Sequence, residues 1–153
     1  MRHCEAVAKL AVETAETLQK KGVQVNLSLV EAGALLHDVG RSKTHSVHHA
    51  VVGAEIAESA GLSEPIVSII RRHVGGGITA DEAKQLGWPT DDVYIPFTLE
   101  EKIVSYADKM IESGKQVPVE RTVKRLFREA KPEAARRVQK LHEEISAMIG
   151  DKQ

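Results

Sequence analysis

Apolar residues recur every three or four positions along most of this chain, the spacing of helices that bury one face. From about His3 to Lys21 the stripe is Val7, Leu10, Ala11, Thr14 and Leu18, and Gly22 suits the residue that ends a helix. Ser28-Leu29-Val30-Glu31 has the form of a capping box. It opens a second helix that carries Val30, Ala34, Leu35 and Leu36 inward and stops at Gly40. A third helix runs from about Ser46 to Ala60, closed by Gly61, with Val47, Ala50, Val51, Ala54 and Ala57 as small packing residues. Ser63-Glu64-Pro65 begins a fourth, with proline in the first turn, where its missing N–H is tolerated. Ile66, Ile69, Ile70 and His73 share its buried face.

Between Ile78 and Phe97 the pattern is irregular. Thr79-Ala80-Asp81-Glu82 caps a short helix, and Gly87-Trp88-Pro89 and Ile95-Pro96 then break regularity, so this insertion reads as a lid or substrate wall. Its aromatics, Trp88, Tyr94 and Phe97, either stack on a nucleobase or fill the core of the loop. Thr98-Leu99-Glu100-Glu101 caps a helix bearing Ile103, Val104, Ala107 and Asp108. Two amphipathic helices follow from Val119 to Ile149, interrupted near Lys131-Pro132. Their stripes are Val123, Leu126, Phe127 and Ala130, then Val138, Leu141, Ile145, Met148 and Ile149. These faces pack on the preceding helices or on a partner subunit, which admits a homodimer. No repeat, low-complexity tract or strand-rich segment interrupts the order. The expected fold is all-α, a single bundle of about six to eight helices.

Composition narrows the class. At 153 residues the chain fits one domain spanning 1–153, with a core over about 1–114 and a helical extension over about 118–150. Lys plus Arg total 21 and Asp plus Glu 22, a balance against a general nucleic-acid binder. Nucleic-acid contact would have to be local, through the basic residues of the last two helices. Cys4 is the one cysteine, so no intrachain disulfide forms. No apolar run reaches the roughly 18 residues of a membrane span and no signal-peptide pattern opens the chain, so a cytoplasmic protein without membrane contact is expected.

The chemistry gathers around Leu35-Leu36-His37-Asp38-Val39-Gly40-Arg41. An imidazole and a carboxylate at the end of a buried helix are costly unless something pairs with them, and a divalent cation does so well. Mixed nitrogen and oxygen ligands suit iron, manganese, cobalt, nickel or zinc. Neighbouring helical residues sit about 100° apart, so other segments must complete the shell. His3, His49, His73 and Asp108 are the candidates. On residue type alone His3 reads as an exposed terminal histidine and His73 as a core residue. His48, beside His49, supports the site from behind or lies on the surface. Cys4 is placed on another face as a small core residue. Arg41, Lys43, His45, Arg72 and Lys109 could meet phosphate oxygens or lie in solvent, and Gly75-Gly76-Gly77 could admit a phosphate or end a helix. His142 carries no motif and is assigned to the surface.

In order and local context, His3, His37-Asp38, His49-Ala50-Val51-Val52-Gly53-Ala54, His73 and Ala107-Asp108 resemble the motif of the HD superfamily of metal-dependent phosphohydrolases. The run from Leu35 to Arg41 is similar to that family's His-Asp-Ile-Gly-Lys segment, and the run from Glu101 to Asp108 to its closing aspartate helix. The likeness extends from His3 to about Gly114, and further details resemble small archaeal HD proteins and symmetrical dinucleoside tetraphosphate hydrolases. The resemblance implies HD-type topology and two divalent ions, magnesium joining the metals above. His3, His37, Asp38 and Asp108 would hold one ion, and Asp38, bridging, would share the second with His49 and His73. It implies hydrolysis of a phosphoester or phosphoanhydride in a small nucleotide or phosphate-ester substrate, with Asp38, Arg41 and Lys109 in catalytic roles and Arg41, Lys43, Arg72 and Lys109 on phosphate. Relatives also include regulatory modules that bind nucleotide without turnover and mixed-valent di-iron oxygenases, and both remain alternatives.

Overall fold

The computed structural model describes residues 2–150. It contains eight α-helices: α1 (Arg2–Lys20), α2 (Leu27–Leu36), α3 (His49–Ser59), α4 (Glu64–Arg71), α5 (Ala80–Leu86), α6 (Leu99–Met110), α7 (Val119–Arg128) and α8 (Pro132–Ile149). Short 3₁₀ turns, Val39–Ser42 and Val74–Gly76, follow α2 and α4. The all-α expectation holds, with one small addition. Strands β1 (Ile111–Glu112) and β2 (Lys115–Gln116) form an antiparallel hairpin, and Ile78 makes an isolated bridge to Tyr94. Two-residue strands leave no alternating pattern long enough to read.

α1 lies against α2 and α6, α3 against α4, and α7 against α8. The main core joins Val7, Ala11 and Leu18 of α1 to Val30 and Ala34 of α2, Ile69 of α4, and Ile103, Val104 and Ala107 of α6. Gly33 is what lets α2 cross α4 so closely, since a β-carbon there would fall 2.6 Å from Ile69 Cδ1. The last two helices pack on the bundle through Met110, Val119, Leu126 and Val138.

Several local expectations change. The cap of α2 is Asn26, whose side chain accepts from Leu29 N, so the box expected at Ser28 does not form. The backbone N–H of Asn26 is taken in turn by Glu100 Oε2, a contact across 74 residues that spacing alone could not reveal. Both boxes at Thr79 and Thr98 form as expected. Phe127 leaves its stripe and is 51% exposed, and Thr122 is buried in its place, its hydroxyl donating to Lys109 O. His142 is tied to Tyr106 by a 2.9 Å hydrogen bond rather than lying free.

The insertion packs inward. Trp88 and Tyr94 are buried in edge-to-face contact, and Trp88 Nε1 donates to His48 Nδ1 at 2.7 Å. The loop core is therefore the role of these two rings, while Phe97 stays 79% exposed. Arg72 fastens the same segment, donating to Val93 O and, at 2.9 and 3.1 Å, to both carboxylate oxygens of Glu101. Glu101, 4% exposed, also accepts from Phe97 N. Removing one partner of such a pair strands the other's charge, so Glu101→Ala should cost about 3–5 kcal/mol. Thermal unfolding measures this, and a midpoint unchanged within error would contradict it.

Candidate metal centre

Six side chains from five segments converge where α2, α3, α4 and α6 end or begin. His37 and Asp38 follow the last turn of α2, His49 opens α3, His73 follows α4, Asp108 lies in the last turn of α6, and His3 comes from the first turn of α1. Their ligand atoms fall into three overlapping groups: His3, His37 and Asp38; His37, His73 and Asp108; and Asp38, His49 and His73.

Asp38 divides its two oxygens between two pairs of histidines. Oδ1 lies 3.3 Å from His49 Nε2 and 3.5 Å from His73 Nε2, while Oδ2 lies 3.5 Å from His37 Nε2 and 3.6 Å from His3 Nε2. Asp108 Oδ1 closes the second group, 2.8 Å from His3 Nε2 and 3.2 Å from His37 Nε2. His3, in the first turn of its helix, is thus anchored by direct contact across 105 residues.

The backbone sets the imidazole tautomers for the neutral rings, the form that binds metal. His37, His49 and His73 each place Nδ1 on the carbonyl oxygen three residues earlier, Ala34, Ser46 and Ile70, at 2.6, 2.9 and 2.7 Å. A carbonyl only accepts, so Nδ1 carries the proton and Nε2 turns a lone pair inward, the outer bond that orients metal-ligating histidines. Ser105 Oγ donates to the His73 carbonyl and steadies that segment from α6. His49 Nε2 and His73 Nε2 then face each other at 2.9 Å, both beside a carboxylate oxygen. Three electron-rich atoms with edges of 2.9, 3.3 and 3.5 Å repel one another unless a cation lies among them. Donors about 2.0–2.2 Å from one ion are separated by about this much. The donor set fits divalent metal.

Close backbone approach supports the geometry. A β-carbon on Gly40 would meet His49 O at 2.0 Å and Gly53 N at 2.7 Å, so Gly40 brings the turn after Asp38 against the start of α3. The sequence reading treated Gly40 as a helix stop. Gly76 and Gly77 likewise lie against Arg137 Cβ, at 3.1 Å, and Ile95 Cδ1, at 2.8 Å, so the triple glycine here serves packing.

Burial would favour the neutral carboxyl of Asp38, yet contacts with His49 and His73 and the positive charge of His37 hold it well below the usual carboxylate range. Burial likewise opposes ionisation of Asp108, and His37 and His3 outweigh it, keeping this carboxyl well below its ordinary value too. His73 is pushed down, chiefly by burial. His37 is held well above 6.5: burial acts the other way, but the charge and hydrogen bond of Asp108, the Cys4 thiol and Asp38 prevail. Cys4, expected in the core, is half-buried, and its thiol is one of the groups that raise His37.

A signed consequence follows for the metal-free protein. His37 contributes stability below pH 6.5 that is lost as pH rises through its folded pKa, whereas Asp38 and Asp108 contribute above their ordinary range and lose it as pH falls. Metal requires the neutral imidazole, so uptake should expel protons and weaken towards acid. Calorimetry in buffers of different ionisation enthalpy measures the release. Uptake with no proton released would contradict the assignment.

Among the candidate cations, Arg41 donates to His45 O and lies 3.8 Å from Asp38 Oδ1, at the edge of the cluster. Lys109 is half-buried beside Asp108, and Lys43 lies exposed just after the 3₁₀ turn. Arg72 is engaged by Glu101, away from the ligands.

An all-α bundle with an adjacent histidine and aspartate at its centre is the architecture of a known family. The HD domain model matches residues 1–112, and the chain belongs to that family. An uncharacterized protein of Methanocaldococcus jannaschii is 47% identical over 125 residues, covering 82% of this chain and 73% of that one. A Picrophilus torridus protein named tRNA (cytidine(56)-2′-O)-methyltransferase is 41% identical over 150 residues, 98% of this chain but 42% of its own length. This chain thus spans about two fifths of that relative. Among solved structures, the HD domain of the Listeria monocytogenes phosphodiesterase PgpH in complex with cyclic-di-AMP has a TM-score of 0.55 at 20% identity, covering 99% of this chain and 91% of that one. That similarity is one of fold. No helix of the described residues is long and apolar enough to cross a membrane.

Proposed function

We propose that this HD domain is a metal-dependent phosphohydrolase acting on a phosphoester or phosphoanhydride of a nucleotide-type substrate. The observation that carries the reading is the division of the Asp38 oxygens between two histidine pairs, which suits two cations bridged by one carboxylate. His3, His37, Asp38 and Asp108 would hold one, and Asp38, His49 and His73 the other. Cations held there would polarise phosphoryl oxygens and lower the pKa of a bound water. The chain's own part is orientation and charge. The three Nδ1 bonds to Ala34, Ser46 and Ile70 keep the imidazoles aimed, and Asp38 and Asp108 stay ionised against burial. Arg41 and Lys109, flanking the cluster, would neutralise substrate phosphate, each well-placed donor contributing about 3 kcal/mol to the transition state. Lys43 would extend that field at the exposed edge.

The family membership supports a hydrolase, and the cyclic-di-AMP bound by the PgpH domain supports a nucleotide ligand by analogy. The test is elemental analysis of air-protected protein followed by a panel of nucleotide phosphoesters, phosphodiesters and phosphoanhydrides. Two equivalents of metal with chelator-sensitive phosphate release are expected. A two-metal protein that binds nucleotides and turns none over would overturn the reading in favour of a binding module, and oxygen uptake without phosphate release would favour an oxygenase.

One observation favours a second reading. The match to a relative named for tRNA methylation extends across both C-terminal helices, which suggests a unit that works beside tRNA. RNA binding that falls with salt would support it.

A further inference from the structure

Beyond the ligand cluster, a cavity of about 330 Å³ lies between the end of α7, the start of α8 and the 3₁₀ turn after His73. Val47, Val74 and Lys109 of its wall stand two, one and one residues along the chain from His49, His73 and Asp108. Its far side comes from Leu126, Lys131, Ala134 and Arg137, all beyond residue 112, where the family match ends.

Two features of this wall call for an anion. Lys109 is half-buried and forms no ion pair among the described residues, although a charge withdrawn from water ordinarily finds a partner. Arg137 gives Nη2 to Glu82 Oε2 at 3.2 Å, but its Nε is buried with no hydrogen-bond partner among the described residues. Gly76 lies close to Arg137, since a β-carbon there would fall 3.1 Å from Arg137 Cβ. Lys131 adds a third cation at the rim, with Glu129 3.7 Å away. The acidic groups present are already engaged: Glu82 by Arg137 and Thr79, and Glu133 by Arg136. The rest of the wall is apolar, from Val47, Val74, Ile78, Leu126 and Pro132. Cations and apolar surface lining one cavity, with a volume near the lower end of small-molecule sites, describe a phosphorylated organic group.

We propose that this cavity is the specificity subsite, receiving a nucleoside monophosphate portion of the substrate, with Lys109, Lys131 and Arg137 on its anionic part and the apolar wall on its uncharged part. The inference rests on the phosphohydrolase reading for its role and on the cavity for its ligand. C-terminal helices outside the family match thereby choose the substrate for a site the family shares.

The test is calorimetric titration of the metal-loaded protein with adenosine 5′-monophosphate and, separately, with inorganic phosphate. The parent protein should bind the nucleotide at least about tenfold more tightly than phosphate. Lys131→Ala, at an exposed rim position, should weaken nucleotide binding by up to about fivefold, as expected of a partly screened charge. Ala134→Leu, which fills the cavity, should weaken it by about tenfold or more. Metal content should be unchanged in both. Equal affinity for nucleotide and phosphate in the parent protein, or parental nucleotide affinity in both variants, would overturn the proposal. Because the readout is binding, a protein that shows the expected pattern but hydrolyses nothing defeats the hydrolase reading and leaves the subsite standing.

Discussion

Asp38→Ala should leave a folded protein that retains less than one equivalent of metal and has lost about 10³-fold or more of the proposed phosphohydrolase activity. Asp38 lies between both histidine pairs, and its loss removes an oxygen from each. If the bridged cations supply about 4 kcal/mol of transition-state stabilisation, the rate falls by about that factor at tenfold per 1.36 kcal/mol. Folding should survive, because Asp38 sits at a partly solvated helix end and the core beneath it is apolar. Elemental analysis and circular dichroism separate the two effects. Full metal content together with full turnover would remove Asp38 from the centre, and turnover by a metal-free variant would remove the metal from the mechanism.

Gly40→Ala should destabilise the protein by about 3 kcal/mol or more and lower its metal content, although it alters no ligand. The added carbon would stand 2.0 Å from a backbone oxygen and 2.7 Å from a backbone nitrogen, and neither can rotate away. Relief requires the turn after Asp38 to part from the start of α3, which separates Asp38 from His49. Thermal unfolding with and without added metal measures both losses. Gly22→Ala is the control: nothing lies within 4 Å of its added carbon, so only the left-handed backbone at φ 87° is penalised, by about 1–2 kcal/mol, with metal retained. Equal metal loss in the two variants would show that the effect is general instability.

Much of the helical layout was legible because it is local. The boxes at Thr79 and Thr98 form as written, and α8 begins at Pro132 because proline is suited to a first turn. Where two residues offered the same local chemistry, as Asn26 and Ser28 do, only the distant Glu100 decided between them. Arg72 shows the same limit from the side of function. Next to His73 it reads as a phosphate ligand, yet its guanidinium meets Glu101, 29 residues away. Phe127 falls on an apolar stripe and still faces outward, since the burial of α7 is set by where α6 and α8 lie.

By itself the sequence determined which segments are helical, the family, and the order in which histidines and aspartates present themselves, because each depends on residue type and near neighbours. The tertiary structure decided that ligands as far apart as His3 and Asp108 share one carboxylate-centred cluster. It decided as well that Trp88 and Tyr94 fill a loop core and that Gly40 and Gly76 are points of contact. The physical reason is that convergence depends on how closely backbones from different segments approach, and that distance is set by packing between helices.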